Sequence, residues 1–154
     1  MITETKLLDP QKPHAKTLLD SIYLNGFAVD LSDTGTGKTY TACAVASELN
    51  VPVVVICPKV VIPVWKKVLA SFGITQPLVI NYEKICRGNT KWLKYVKKEY
   101  NNKKAWESNG MYLHFPNNSL VILDEVHKCK AYRSLQSDLL VAIKNHRSEE
   151  HTSE

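Results

Sequence analysis

Ser32-Asp-Thr-Gly-Thr-Gly-Lys-Thr39 separates a short apolar run, Phe27 to Leu31, from Thr39 to Leu49, a stretch of helix formers and small residues. The first run reads as a strand. The second, with Ala42, Ala44, Val45 and Ala46, reads as a helix that packs on a sheet. A glycine-containing turn between a strand and a helix is the setting a phosphate cradle requires. Gly35 and Gly37 let the backbone turn tightly and aim its N–H groups at phosphate oxygens. The following helix adds its positive N-terminal end. Lys38 is of the right length and charge to reach β- and γ-phosphates, and the Thr39 hydroxyl suits Mg²⁺. Asp33, Thr34, Gly35, Thr36, Gly37, Lys38 and Thr39 are therefore the candidate nucleotide-triphosphate site. The strict pattern opens with glycine; here that position is Ser32.

Outward from the loop, strands and helices alternate. Upstream, Pro13 suits the start of a helix carrying Leu18, Leu19, Ile22 and Tyr23, which ends at Asn25-Gly26. Downstream, Val51-Pro-Val-Val-Val-Ile-Cys57 is β-branched and apolar on both faces, as a buried parallel strand must be. Val61 to Phe72 reads as a helix opened by Pro63 and closed by Gly73, and Leu78-Val-Ile80 as a further strand. A helix is expected from Thr90 to Tyr100, a connecting excursion over 101–118, a buried strand at Leu120-Val-Ile-Leu123, and helical sequence through Ile143. This alternation predicts an α/β fold with a mainly parallel sheet flanked by helices. Residues 1–12 are polar and read as a loosely ordered lead-in, with 13–146 forming one lobe.

Leu120-Val-Ile-Leu-Asp-Glu-Val-His127 then places two carboxylates at the C-terminal end of a strand, the edge at which parallel sheets bind ligands. Asp124 suits Mg²⁺ opposite Thr39, and Glu125 suits the activation of a water attacking the γ-phosphate. With Lys38, Glu125 makes the candidate catalytic pair.

Composition bounds the alternatives. The 154 residues are 44% hydrophobic and 23% charged, which suits one globular core and excludes a disordered or collagen-like chain. No apolar run approaches the roughly 18 residues of a membrane span, and the N-terminus carries no readable secretory signal, so a cytoplasmic setting without membrane contact is expected. Cys43, Cys57, Cys86 and Cys129 stand far apart, as reduced thiols do, rather than at disulfide or zinc spacing. Net charge is +5, and the basicity is local: residues 91–104 hold Lys91, Lys94, Lys97, Lys98, Lys103 and Lys104 against Glu99. The closing Arg147-Ser-Glu-Glu-His-Thr-Ser-Glu154 looks like the in-frame translation of a sequencing adapter. On that reading the natural frame is interrupted near His146, and removing Arg147, Glu149, Glu150 and Glu154 raises the net charge to +7.

Thr-Gly-Thr-Gly-Lys-Thr and Asp-Glu-Val-His together resemble motifs I and II of superfamily 2 helicases and translocases of the DExH type. Asp124-Glu-Val-His-Lys-Cys-Lys130 is similar to the box of Swi/Snf-type DNA translocases, Val53 to Lys59 with Trp65 to motif Ia, and Val79-Ile-Asn-Tyr-Glu83 to the strand preceding a second nucleic-acid-contacting turn. The resemblance implies a RecA-like P-loop NTPase lobe, the first of two, that uses ATP and Mg²⁺ on nucleic acid, with DNA favoured over RNA. It implies nucleic-acid contact or coupling at Pro58, Lys59, Asn81, Tyr82 and His127. Two departures stand out. The glutamine that reads adenine in the family follows a Pro-His pair; here Pro13-His14 is followed by Ala15, and Gln11 lies upstream. Motif III and the second lobe in cis, with its arginine fingers, have no match in these residues.

Other readings stay open. The lysines of 91–104 form either a solvated face or a phosphate-backbone contact, with Trp92, Tyr95 and Trp106 as packing partners. His14 and His114 carry no readable role. A P-loop kinase or transporter ATPase, or a module holding nucleotide only as a structural ligand, competes with the motor reading. No acceptor site for a kinase is readable, and intact Lys38, Thr39, Asp124 and Glu125 weigh against the last.

Overall fold

The computed structural model describes residues 6–32, 36–86, 93–95, 111–113, 115–116 and 118–125. Its first helix, α1 (Gln11–Asn25), begins two residues before Pro13, which therefore sits in the first turn, where its missing N–H removes no intrahelical bond. It ends as expected: Gly26 takes the left-handed conformation (φ 74°) and donates its N–H to the Ile22 carbonyl. Helix α2 (Lys38–Leu49) starts at Gly37, itself left-handed at φ 81°. Strand β1 (Val53–Cys57) is buried at every residue. A 3₁₀ turn (Lys59–Val61) leads into α3 (Ile62–Ser71), followed by β2 (Leu78–Asn81) and the short α4 (Tyr82–Cys86).

These elements form a parallel sheet in the order β2-β1-β5, where β5 is Leu120–Leu123. Val54 pairs with Leu78 on one side and Val121 on the other, and Ile56 pairs with Ile80 and Leu123. Because successive strand residues alternate between faces, Val53, Val55 and Cys57 enter one core with Ala15 and Leu19 of α1, Cys43 to Ala46 of α2, and Trp65, Val68 and Leu69 of α3. Leu7, ahead of α1, is buried in the same core. Val54, Ile56, Ile80 and Ile85 are also buried. This two-faced burial is why β1 reads as an uninterrupted apolar run.

The sheet positions the site. A 12-residue α2 spans about 18 Å and the 5-residue β1 about 16 Å, and the two are joined through Asn50 to Pro52. A helix of that length, returning beside the strand it feeds, brings its N-terminus to the edge at which β1, β2 and β5 all end. The α/β expectation holds.

Two local expectations fail. Phe27 to Leu31 forms no strand; Phe27, Val29 and Leu31 are exposed, and among the described residues no strand lies beyond β5 to give them a ladder. The helix expected over Thr90 to Tyr100 is replaced at Leu93–Tyr95 by β3, which pairs antiparallel with β4 (Met111–Leu113), so the excursion over 101–118 also contains a strand. The helical spacing of apolar residues there loses to a pairing partner distant in the chain, a competitor that single-segment periodicity does not register. The helical stretch expected after Leu123, and the tail from Arg147, lie outside the described residues.

Candidate functional site

The phosphate-loop candidates divide. Asp33, Thr34 and Gly35 lie outside the described residues; Thr36, Gly37, Lys38 and Thr39 lead into α2. Gly37 holds a backbone conformation that L side chains rarely adopt, which is the physical reason for glycine at this position. Its carbonyl accepts the first helical bond from the Thr41 N–H at 3.1 Å and a second, at 3.2 Å, from the Thr41 hydroxyl. Lys38 and Thr39, both half-buried, occupy the first turn, where main-chain N–H groups have no intrahelical acceptors and suit an anion.

Helix α1 braces this loop at two places. The Gln11 side-chain amide accepts the Leu8 N–H at 2.9 Å and donates through Nε2 to the Thr36 carbonyl, also at 2.9 Å. It lies so close to Gly37 that a Cβ there would stand 2.2 Å from Nε2. Three residues on, His14 Nε2 lies 3.0 Å from Asp30 Oδ1. That carboxylate oxygen also accepts the Ser32 N–H at 2.9 Å and the Ser32 hydroxyl at 2.5 Å. Partial burial works against the charge on Asp30, but the two bonds from Ser32, with His14 close by, outweigh it and hold the carboxyl below its ordinary value. Ser32 in turn accepts the Thr36 hydroxyl at 3.1 Å. The serine standing where the strict pattern has glycine thus ties the start of the loop to its far side. Gln11, His14 and Asp30 were not among the sequence candidates. The readable signal was the spacing of Gln11 and His14, which puts both on one face of α1.

At the end of β5, Asp124 is held at three points. Its N–H donates to Ile56 O at 2.9 Å, its carbonyl accepts the Tyr82 hydroxyl at 2.8 Å, and its Oδ2 accepts Trp65 Nε1 at 2.9 Å. Glu125 follows in the left-handed region (φ 53°), an uncommon conformation for a residue with a Cβ, which turns the chain off the strand. Cys57 sits near Asp124; burial first, and that negative charge second, push its thiol up to about 11. The same burial pushes Cys43 up to about 12. Both are free, buried thiols.

A hydroxyl and a carboxylate are hard oxygen donors, the set that suits Mg²⁺, which keeps several waters and takes only one or two protein ligands beside substrate phosphates. Thr39 and Asp124 fit that requirement. Among the described residues no cluster of three or more His, Cys, Asp or Glu offers a competing, all-protein metal site. Mg²⁺ held here would supply charge neutralisation to bound phosphates, and Lys38 and the N–H groups of the α2 first turn would supply the rest from the chain itself.

The remaining described candidates follow the ends of β1 and β2. Pro58 and exposed Lys59 follow β1. Asn81 ends β2 with its Oδ1 accepting the Lys84 N–H at 2.7 Å, a cap on α4. Tyr82 is buried, with its hydroxyl turned to Asp124 rather than to solvent. His127 lies outside the described residues. Among the described residues no helix is long and apolar enough to cross a membrane.

Comparison with known proteins follows this geometry. The sequence profile of the family described as ATPase family associated with various cellular activities (AAA) matches residues 32–153. A protein of Acanthamoeba polyphaga mimivirus, named a putative ATP-dependent RNA helicase, is 37% identical over 156 aligned positions. That alignment covers 92% of this chain and 28% of the mimivirus protein, so the chain spans little more than a quarter of its relative's length. No solved structure matches it significantly.

Proposed function

Because this chain belongs to the ATPase family associated with various cellular activities (AAA), we propose that it is the ATP-binding lobe of a nucleic-acid-dependent ATPase of helicase or translocase type, coupling Mg²⁺-dependent ATP hydrolysis to movement on a strand. One observation carries the reading. The glycine-led N-terminus of α2, bearing Lys38 and Thr39, opens the helix that feeds β1, and Asp124-Glu125 directly follow β5, which pairs parallel with β1 so that both strands end at one edge. The full triphosphate site then comprises Asp33 to Thr39 with Asp124. Lys38 neutralises charge on the β- and γ-phosphates, Thr39 and Asp124 hold Mg²⁺, and Glu125 takes a proton from the attacking water.

The track is nucleic acid, recognised through its phosphate backbone at the turns after β1 and β2, with Pro58, Lys59 and Asn81 as contacts and Tyr82 and His127 in coupling. RNA is supported by the name of the mimivirus relative; DNA is supported by the wording Asp124-Glu-Val-His-Lys-Cys-Lys130. Efficient turnover needs a second lobe in cis, because loss of an arginine finger costs about 10³- to 10⁵-fold in P-loop NTPases. The chain alone therefore binds ATP and hydrolyses it slowly.

The deciding experiment measures phosphate release by the longest available form of the protein, alone and with double-stranded DNA, single-stranded DNA or RNA. Stimulation by one polymer, abolished by Lys38→Ala, supports the motor and names its track. Hydrolysis indifferent to every polymer rejects it in favour of a kinase or transporter ATPase.

A further inference from the structure

Asp124 is unusual among the site residues in being held from three sides, and two of its holders belong to no motif of the triphosphate site. Trp65 stands in the first turn of α3 and is 3% exposed; Tyr82 opens α4 and is 7% exposed. An indole N–H is a donor only, so Trp65 Nε1, 2.9 Å from Oδ2, pins one named oxygen of the carboxylate. The Tyr82 hydroxyl, 2.8 Å from the Asp124 carbonyl, fixes the main chain at the point where β5 ends and the chain turns into left-handed Glu125. The Asp124 N–H continues the β1–β5 ladder to Ile56 O. With N, O and Oδ2 all engaged, the carboxylate has one orientation rather than two equivalent ones.

We propose that Trp65 and Tyr82 are positioning residues for the metal-bearing carboxylate: they fix which Asp124 oxygen Mg²⁺ meets and so set the Mg²⁺ requirement of nucleotide binding. The proposal rests on the triphosphate-site reading above. Hydrophobic packing accounts for a buried tryptophan and tyrosine, but not for both polar atoms converging on one aspartate from helices that follow different strands. Neighbours that orient a metal ligand typically contribute 10- to 100-fold in metal affinity or activity.

The test is a Mg²⁺ titration of the 154-residue chain with a fluorescent N-methylanthraniloyl ATP, compared with binding of the same nucleotide in EDTA. Trp65→Phe keeps a ring and loses only the N–H donor; Tyr82→Phe loses one hydroxyl. Trp65→Phe is expected to need about tenfold more Mg²⁺ for half-maximal binding, and Tyr82→Phe a few-fold more, with affinity in EDTA unchanged in both. An unchanged Mg²⁺ requirement in both variants overturns the proposal, as does an equal loss with and without Mg²⁺, which marks a structural role. If circular dichroism shows that Trp65→Phe does not fold, Tyr82→Phe decides by the same comparison. Wild-type chain that binds no nucleotide in either condition defeats the triphosphate reading and this inference with it. Wild-type binding that is indifferent to Mg²⁺ defeats this inference alone.

Discussion

Gly37→Ala isolates what α1 does for the phosphate loop, because two separable effects meet at one Cβ. The first is backbone strain: at φ 81° an L residue costs about 1–2 kcal/mol. The second is steric. The new Cβ would lie 2.2 Å from Gln11 Nε2, the far end of a flexible side chain, so Gln11 swings away. It then gives up its bonds to the Thr36 carbonyl and the Leu8 N–H. Both bonds are exposed, so each is taken at about 0.5 kcal/mol, the low end of the usual range. Gly37→Ala should then destabilise the chain by about 2–3 kcal/mol. In a Gln11→Ala background the bonds are already absent and only strain remains, about 1–2 kcal/mol. The difference, a coupling of about 1 kcal/mol, is what a double-mutant cycle reads. The assay is equilibrium urea unfolding of the four proteins by circular dichroism, with m-values checked for constancy. A Gly37→Ala cost that is the same in both backgrounds refutes the argument, for it would mean that Gln11 does not bear on the loop.

Other outcomes follow from the same structure. Lys38→Ala should weaken ATP binding at least tenfold in a fluorescent-nucleotide titration while shifting the unfolding midpoint little, because Lys38 is half-buried at a helix start and outside the core. Leu69→Ala, at a fully buried position of α3, should cost about 2–5 kcal/mol of stability by urea unfolding. The pH dependence has a definite sign at each end. Cys43 and Cys57 bind protons more tightly folded than unfolded, so their contribution is intact below about pH 9. It falls as pH rises toward about 12 for Cys43 and about 11 for Cys57, and thermal unfolding should show an alkaline decline that Cys43→Ala and Cys57→Ala each make shallower. Asp30 is shifted the other way, so its contribution is present above the ordinary carboxyl value of 3.8 and lost as pH falls through its lower folded value. Asp30→Asn should flatten that acid limb.

Much of the site was legible because its signals are local. A glycine loop entering a helix is written in eight consecutive residues, and the chemistry of Lys38 and Thr39 follows from their place in the first turn. The acidic pair was legible for the same reason, since a continuous apolar run ending in two carboxylates reads as a strand and its polar end, although all four residues of β5 are half-buried rather than buried as expected. Tyr82 shows the limit of that reading. The resemblance of Val79-Ile-Asn-Tyr-Glu83 implies a nucleic-acid or coupling role for it, whereas the direction of its hydroxyl depends on where Asp124 comes to lie.

The sequence alone determined the α/β class, the two-faced burial of β1 and the local chemistry of the candidate triphosphate site, because periodicity and residue type within one segment carry that information. Only the tertiary structure decided which apolar runs become strands. Phe27 to Leu31 has the composition and makes no strand, while Leu93–Tyr95 reads as helix and pairs with Met111–Leu113. Only the tertiary structure joined Gln11 to the loop 25 residues away, and Trp65 and Tyr82 to Asp124 at separations of 59 and 42. A strand exists through its neighbour and a hydrogen bond through its acceptor, and contacts between such distant positions leave no periodic trace in the chain.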